Sequence, residues 1–292
     1  MSAPGFVDAG RVRRSFARVA PDYGKADFLA REIDRRMLER LDYVRVAPSR
    51  IVDLGCSRGA TLAALRERYP QASALGVDFA GPMLPTAPAS AAWRRWLPGV
   101  ASARPAFIAA DACKLPFRPA SFGLVWSNLL LHWLDDPAPA LAEAHRVLET
   151  GGLLMFSTLG PDTLRELRES FVDGYAHVQR TIDMHDLGDL LVACGFADPV
   201  MDMEIVTLTY DSLDALLAEL RAAGSICAMN ARRRGLTGRA VWDEVRRRYE
   251  DRRRDGRLPA TFEVVYGHAW KAAPKQTADG RDIVRFDPPR GK

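Results

Sequence analysis

Ile51-Val52-Asp53-Leu54-Gly55-Cys56-Ser57-Arg58-Gly59 is the stretch that decides the fold of this 292-residue chain. An apolar run ends in an acid, breaks into a glycine-rich turn and passes straight into Ala60 to Tyr69, a good helix former. A strand, a tight loop and a helix N-terminus in that order open a nucleotide-type site in an α/β sheet. About twenty residues beyond the glycines a second apolar run, Ala74-Leu75-Gly76-Val77, ends in Asp78. An acid at the tip of the second strand is placed to grip two ribose hydroxyls. The chain therefore reads as a binder of an adenosine-bearing cofactor.

The loop narrows which one. A dinucleotide site shows G-x-G-x-x-G, but Ser57 takes the second glycine position and Ala60 meets the third only in its permissive form. The G-K-[ST] of a phosphate loop is absent. Asp53 at the strand end repels phosphates and attracts cations. S-adenosyl-L-methionine, phosphate-free with an ammonium and a sulfonium, suits that acid. A serine at position 57 is tolerated if its φ is negative, but it narrows the loop.

Outward from the loop, strands alternate with helices. Ala106–Ala109, ending near Asp111, Phe122–Ser127 and Leu153–Thr158 read as further strands. Val12–Ala20 and Ala26–Leu41 carry apolar residues at helical spacing, the second on a stripe of Phe28, Leu29, Ile33, Met37, Leu38 and Leu41. Pro139–Leu148 is a helix stopped by Gly151-Gly152. The alternation predicts an α/β fold, a doubly wound and mostly parallel sheet. Beyond it, Asp162 is expected to cap a helix over Thr163–Phe171, and Asp183–Cys194 to be a helix closed by Gly195. Val200–Tyr210 alternates like a strand, Ser212–Ala223 and Gly238–Arg254 are amphipathic helices, and Phe262–Trp270 is a final strand. Gly81–Arg104, with Trp93 and Trp96, reads as a loop with one short helix. The predicted organisation is N-terminal helices closing over the cofactor (1–47), a core (48–210 and 261–272), a helical lid inserted at 211–260, and a tail (273–292).

Composition bounds the class. Hydrophobic content of 48% and charged content of 27% are those of a globular protein. No apolar run reaches the roughly 18–20 residues of a membrane span, and the N-terminus lacks a secretory h-region. Cys56, Cys113, Cys194 and Cys227 are scattered, so neither a metal site nor a disulfide framework is expected, and the cytoplasm is the expected compartment. The net charge is +4, with arginine triplets at 232–234, 246–248 and 252–254. No zinc finger, RRM-type motif or basic–aromatic alternation points to nucleic acid. A monomer is expected.

Asp53-Leu54-Gly55-Cys56-Ser57-Arg58-Gly59 resembles motif I of class I S-adenosylmethionine-dependent methyltransferases, D-x-G-x-G-x-G, with Ser57 where the central glycine is common. The resemblance implies a Rossmann-like fold and cofactor contacts at Asp53, Gly55, Ser57 and Gly59. It assigns Asp78 to the ribose, Asp111 and Ala112 to the adenine, and Ser127 and Asn128 to the methionine moiety. Phe16-Ala17-Arg18-Val19-Ala20-Pro21-Asp22-Tyr23 resembles the start of the malonyl-acyl-carrier-protein O-methyltransferases of biotin synthesis. Trp126-Ser127-Asn128-Leu129, His132-Trp133, Gly160-Pro161-Asp162-Thr163-Leu164, Gly235-Leu236-Thr237-Gly238-Arg239 and the run from Leu258 to Trp270 resemble the same family.

That resemblance implies methylation of the free carboxylate of a malonyl group on acyl carrier protein. Such a carboxylate is ionised at neutral pH, so no strong base is required. Alignment and exclusion of water would carry the reaction. Tyr23, in the segment closing over the cofactor, and His132, after the fourth strand, are the catalytic candidates. An arginine is the natural carboxylate clamp, with Arg165, Arg168, Arg180 and Arg221 in or near the expected lid. Carrier proteins are acidic, so Arg232–Arg234 and Arg246–Arg248 are candidates for steering one. Two alternatives stay open: a protein arginine hydroxylase or complex I assembly factor on the same fold, and a non-catalytic cofactor binder if Ser57 cripples the loop.

Overall fold

The computed structural model describes residues 5–85 and 106–273. Its strands are β1 (Arg50–Leu54), β2 (Ser73–Asp78), β3 (Ala106–Ala109), β4 (Phe122–Ser127), β5 (Leu148–Leu159), β6 (Ala197–Tyr210) and β7 (Leu258–Trp270). Its helices are α1 (Ala9–Val19), α2 (Phe28–Arg40), α3 (Ala60–Arg68), α4 (Ala138–Val147), α5 (Arg165–Ser170), α6 (Met184–Ala193), α7 (Leu213–Ala222) and α8 (Arg239–Glu250). The strands form one sheet in the order β3-β2-β1-β4-β5-β7-β6. The first five pair in parallel, and β7 runs antiparallel between β5 and β6.

The central strands are apolar at almost every position because both faces of a parallel sheet are covered. Side chains alternate between two cores. Ile51, Leu124, Trp126, Leu153 and Met155 meet Ile33 and Met37 of α2 and Leu62 and Leu65 of α3. Val52, Leu54, Val125, Leu154 and Phe156 meet Leu141 and Val147 of α4 and Leu187 and Leu191 of α6. Each such buried aliphatic side chain contributes about 1.5–3 kcal/mol. Strand order reverses between β1 and β4, and open α/β sheets bind ligands in the crevice beyond the carboxyl ends of the strands there. Asp53 and Trp126, near those two ends, are partners in register.

Several elements differ from the sequence expectation. β5 begins at Leu148 and runs through Gly151-Gly152. Gly151 takes φ +80°, and its amide donates to Lys271 O, so the glycines bend the strand rather than precede it. The helix expected over Thr163–Phe171 is only Arg165–Ser170, and Asp162 does not cap it. The Leu164 amide donates to Thr261 O and the Thr163 hydroxyl to Glu263 O, so tertiary bonds to β7 replace the first turn. α8 ends at Glu250, short of Arg254, where a bridge between Arg254 and Arg257 turns the chain. β7 starts at Leu258, inside the segment assigned to the lid. Ser212 Oγ caps α7 by accepting from the Ala215 amide, and Asp183 caps α6. Most of the Gly81–Arg104 loop, with Trp93 and Trp96, and the tail from 274 lie outside the described residues. No helix among the described residues is long and apolar enough to cross a membrane.

Candidate active site

The turn after β1 is built by backbone hydrogen bonds. The amides of Gly55 and Cys56 both donate to Val77 O, at 2.8 and 3.0 Å, joining the tips of β1 and β2. Gly55 and Gly59 take φ +75° and +74°, and a Cβ on Gly59 would lie 2.5 Å from the Phe107 ring. Ser57 does not meet the condition of a negative φ: its φ is +49°. The left-handed region costs a non-glycine residue roughly 1–2 kcal/mol. One hydrogen bond holds Ser57 there: its amide donates to Asp78 Oδ2 at 3.0 Å.

Beneath the turn lies a cavity of about 500 Å³, within the range of small-molecule sites. Three buried carboxylates, Asp34, Asp53 and Asp78, line it. Asp53 is 2% exposed. Among the described residues no donor reaches its carboxylate, and burial together with the charges of Asp34 and Asp78 holds it well above the usual carboxylate range. Asp34 projects from α2, accepts from Trp126 Nε1 at 3.0 Å, and is pushed up to about 6 by burial. Asp78 accepts from the amides of Ser57 and Ala80, and burial outweighs those bonds to raise its pKa. None of the three has a cationic partner among the described residues; Asp34 and Asp53 form a floor that an ammonium and a sulfonium would satisfy, with Asp78 beside them at the tip of β2. Phe79, Ala110, Ala112 and Leu130 add apolar wall, so the chamber fits the cofactor inferred from the loop.

The structure brings most candidates together. Asp53, Gly55, Ser57, Asp78, Asp111, Ala112, Asn128, Tyr23 and His132 all line the cavity; Gly59 and Ser127 do not. Gly59 is the left-handed N-cap of α3, and Ser127 lies buried with an unpartnered hydroxyl. Asp111 is exposed and accepts from the Cys113 amide at 2.8 Å, shaping the turn after β3. Asn128 donates to Ala30 O at 2.9 Å and accepts from the Ser157 hydroxyl at 2.7 Å, pinning α2 to the strand tips. Burial pushes the Tyr23 phenol up to about 12. His132 is buried, its pKa lowered to about 3 by desolvation, with Nδ1 at 3.3 Å from Thr158 Oγ1. It is a neutral imidazole.

None of Arg165, Arg168, Arg180 and Arg221 reaches the cavity; the arginines that line it are Arg31 and Arg58. Arg31 pairs with Asp27, and Arg58 donates to Ala20 O at 2.8 Å. The α5 arginines face away because α5 packs on α8 and β7. Asp34 was missed. Its signal was an acid between Ile33 and Met37 on the apolar stripe of α2, where helical spacing buries it. α7 and the segment after it line the chamber through Glu219, Ser225 and Cys227, with His177 and Gln179 from the segment before α6.

Residues 52–156 match the family described as a methyltransferase domain. The chain is 47% identical over 293 residues to a malonyl-[acyl-carrier protein] O-methyltransferase of Laribacter hongkongensis, covering 99% of each chain. It is 48% identical over 287 residues to the protein of the same name from Nitrosospira multiformis, covering 92% of this chain and 91% of that one. Among solved structures, the YcgJ protein of Bacillus subtilis superposes with a TM-score of 0.55 at 17% identity, covering 82% of this chain and 100% of that one. At that identity the likeness speaks for the fold alone.

Proposed function

The chain belongs to the malonyl-[acyl-carrier protein] O-methyltransferase family, and we propose that its cavity methylates the free carboxylate of a malonyl group carried on acyl carrier protein, an early step of biotin synthesis. The observation that carries this is the floor of Asp34 and Asp53, with Asp78 beside it, beneath a turn of backbone amides. The family assignment displaces the hydroxylase and assembly-factor alternatives.

S-adenosyl-L-methionine, when bound, supplies a methyl group on a positively charged sulfur. Asp53, with Asp34 beside it, would hold the cationic end, Asp78 at the tip of β2 would hold the ribose, and Ala112 and Phe79 would flank the base. The nucleophile is a carboxylate already ionised at working pH, so no residue has to remove a proton. His132, with a pKa near 3, is too weak a base to matter and carries no charge with which to clamp an anion. It supplies instead a neutral hydrogen-bonding edge and, with Trp133, a wall against water. Tyr23 closes the cofactor end, lining the cavity beside Phe16 and Ser57. The residues thus act by alignment and by keeping water from the reacting atoms. The protein is a monomer of the cytoplasm in this reading, which light scattering and cell fractionation check.

Incubation with labelled S-adenosyl-L-methionine and malonyl-acyl carrier protein is expected to give the labelled methyl ester. Intact cofactor binding with no ester would overturn the reading and restore the non-catalytic one.

A further inference from the structure

We propose that the outer face of α1, carrying Arg13, Arg14 and Arg18, is the surface on which the acidic carrier protein docks. This rests on the methyl-transfer reading above. α1 roofs the cavity. On its inner face Ala9 and Phe16 line the chamber, and Phe16 packs edge-on against Trp133, ring centroids 5.3 Å apart. The Ser15 hydroxyl donates to Gly224 O at 3.0 Å, and Arg11 Nε donates to Cys227 O at 3.0 Å, fastening the helix to the insertion. Arg14 and Arg18, one turn apart, share a stripe on the outer half of the helix, Arg13 stands about 100° round from Arg14, and all three side chains are exposed. α1 contains four arginines and no acid. Among the described residues none of Arg13, Arg14 and Arg18 has an ion-pair partner within 4.0 Å; Asp8, on which the charge of Arg14 acts, pairs with Arg232. At its C-terminal end Asp22 is paired with Lys25.

The arginine-rich helix α8, which charge alone nominates, is different. Arg246 pairs with Asp214 and Asp243, Arg247 with Glu244 and Asp251, and Arg248 with Glu244. Its charge is spent inside the lid surface, whereas that of α1 is available to a partner. A carrier held on α1 stands one helix diameter, about 10–12 Å, from the cavity that must receive its acyl arm. Complementary charge at a rim sets association rate and salt dependence.

The test compares kcat/KM for malonyl-acyl carrier protein with that for the N-acetylcysteamine thioester of malonate, at two ionic strengths. Arg13→Glu, Arg14→Glu and Arg18→Glu combined are expected to lower the carrier-bound value about tenfold or more, flatten its salt dependence, and leave the small thioester and the cofactor Kd within about twofold. The corresponding lysine variant keeps the carrier-bound value within about threefold. Equal loss on both substrates, or a larger selective loss from reversing Arg246, Arg247 and Arg248, overturns the proposal. A wild-type protein that methylates neither substrate overturns the methyl-transfer reading, and this inference with it.

Discussion

The Trp126 indole donates from Nε1 to Asp34 Oδ1 at 3.0 Å, tying α2 to the middle of the sheet directly beside Asp53, the register partner of Trp126. One hydrogen bond thereby fixes a buried acid against a second buried acid. Burial raises both carboxyls, the charge of Asp34 raises that of Asp53 further, and a cation between them favours the ionised pair.

Asp34→Asn tests that arrangement. The carboxyl titrates at about 6 in the fold against an ordinary 3.8. Between those values the native state holds a proton that the unfolded chain has released, so stability falls as pH rises through the window, by up to about 3 kcal/mol, and stays low above it. The amide keeps an acceptor for Trp126 and removes that loss. The ligand-free variant is expected to melt higher than wild type above pH 6 and to bind S-adenosyl-L-methionine about tenfold or more weakly, by calorimetry. Unchanged affinity would remove Asp34 from the cofactor floor.

Ser57→Gly relieves the left-handed strain at φ +49° but adds unfolded-state entropy of about 0.4–1 kcal/mol. The two nearly cancel, so thermal stability is expected to move by less than about 1 kcal/mol and cofactor Kd by less than about tenfold. A gain beyond tenfold would mean that Ser57 handicaps the loop. Ser57→Val, β-branched in the same conformation, is expected to cost about 2 kcal/mol and to weaken binding.

Gly59→Ala places a Cβ 2.5 Å from the Phe107 ring at φ +74°. Strain and displacement of the ring together are expected to cost about 2–4 kcal/mol in denaturant unfolding. A neutral result would show that α3 can enter the turn by another path.

His132 gives a pH signature of opposite sense. Its folded pKa, near 3 against an ordinary 6.5, means that stability is full above 6.5 and is lost as pH falls below it, at about 1.4 kcal/mol per pH unit. His132→Gln is expected to flatten that acid slope while leaving the shape of the kcat/KM profile between about pH 6 and 8 unchanged. A profile whose inflection disappears in the variant would make His132 a titrating catalytic group.

The cofactor end was legible because its information is local. Asp53, Gly55 and Asp78 sit at strand ends marked by apolar runs, and α3 spans Ala60–Arg68 as its composition demands. Where tertiary bonds compete with local propensity, the reading slipped: Thr163 and Leu164 bond to β7 instead of starting a helix. The cavity's arginines were less legible, since Arg31 and Arg58 come to it from α2 and the glycine turn rather than from the segments where an arginine was expected.

The sequence by itself determined the strand order's raw material, the turn, the acids at the strand tips and the family, because periodicity and short motifs depend on neighbours along the chain. Only the tertiary structure decided that Asp34 joins Asp53, that Ser57 is left-handed, and which arginines remain unpaired. Those depend on what packs across the sheet and on which carboxylates lie within reach of each guanidinium, distances that the order of residues does not contain.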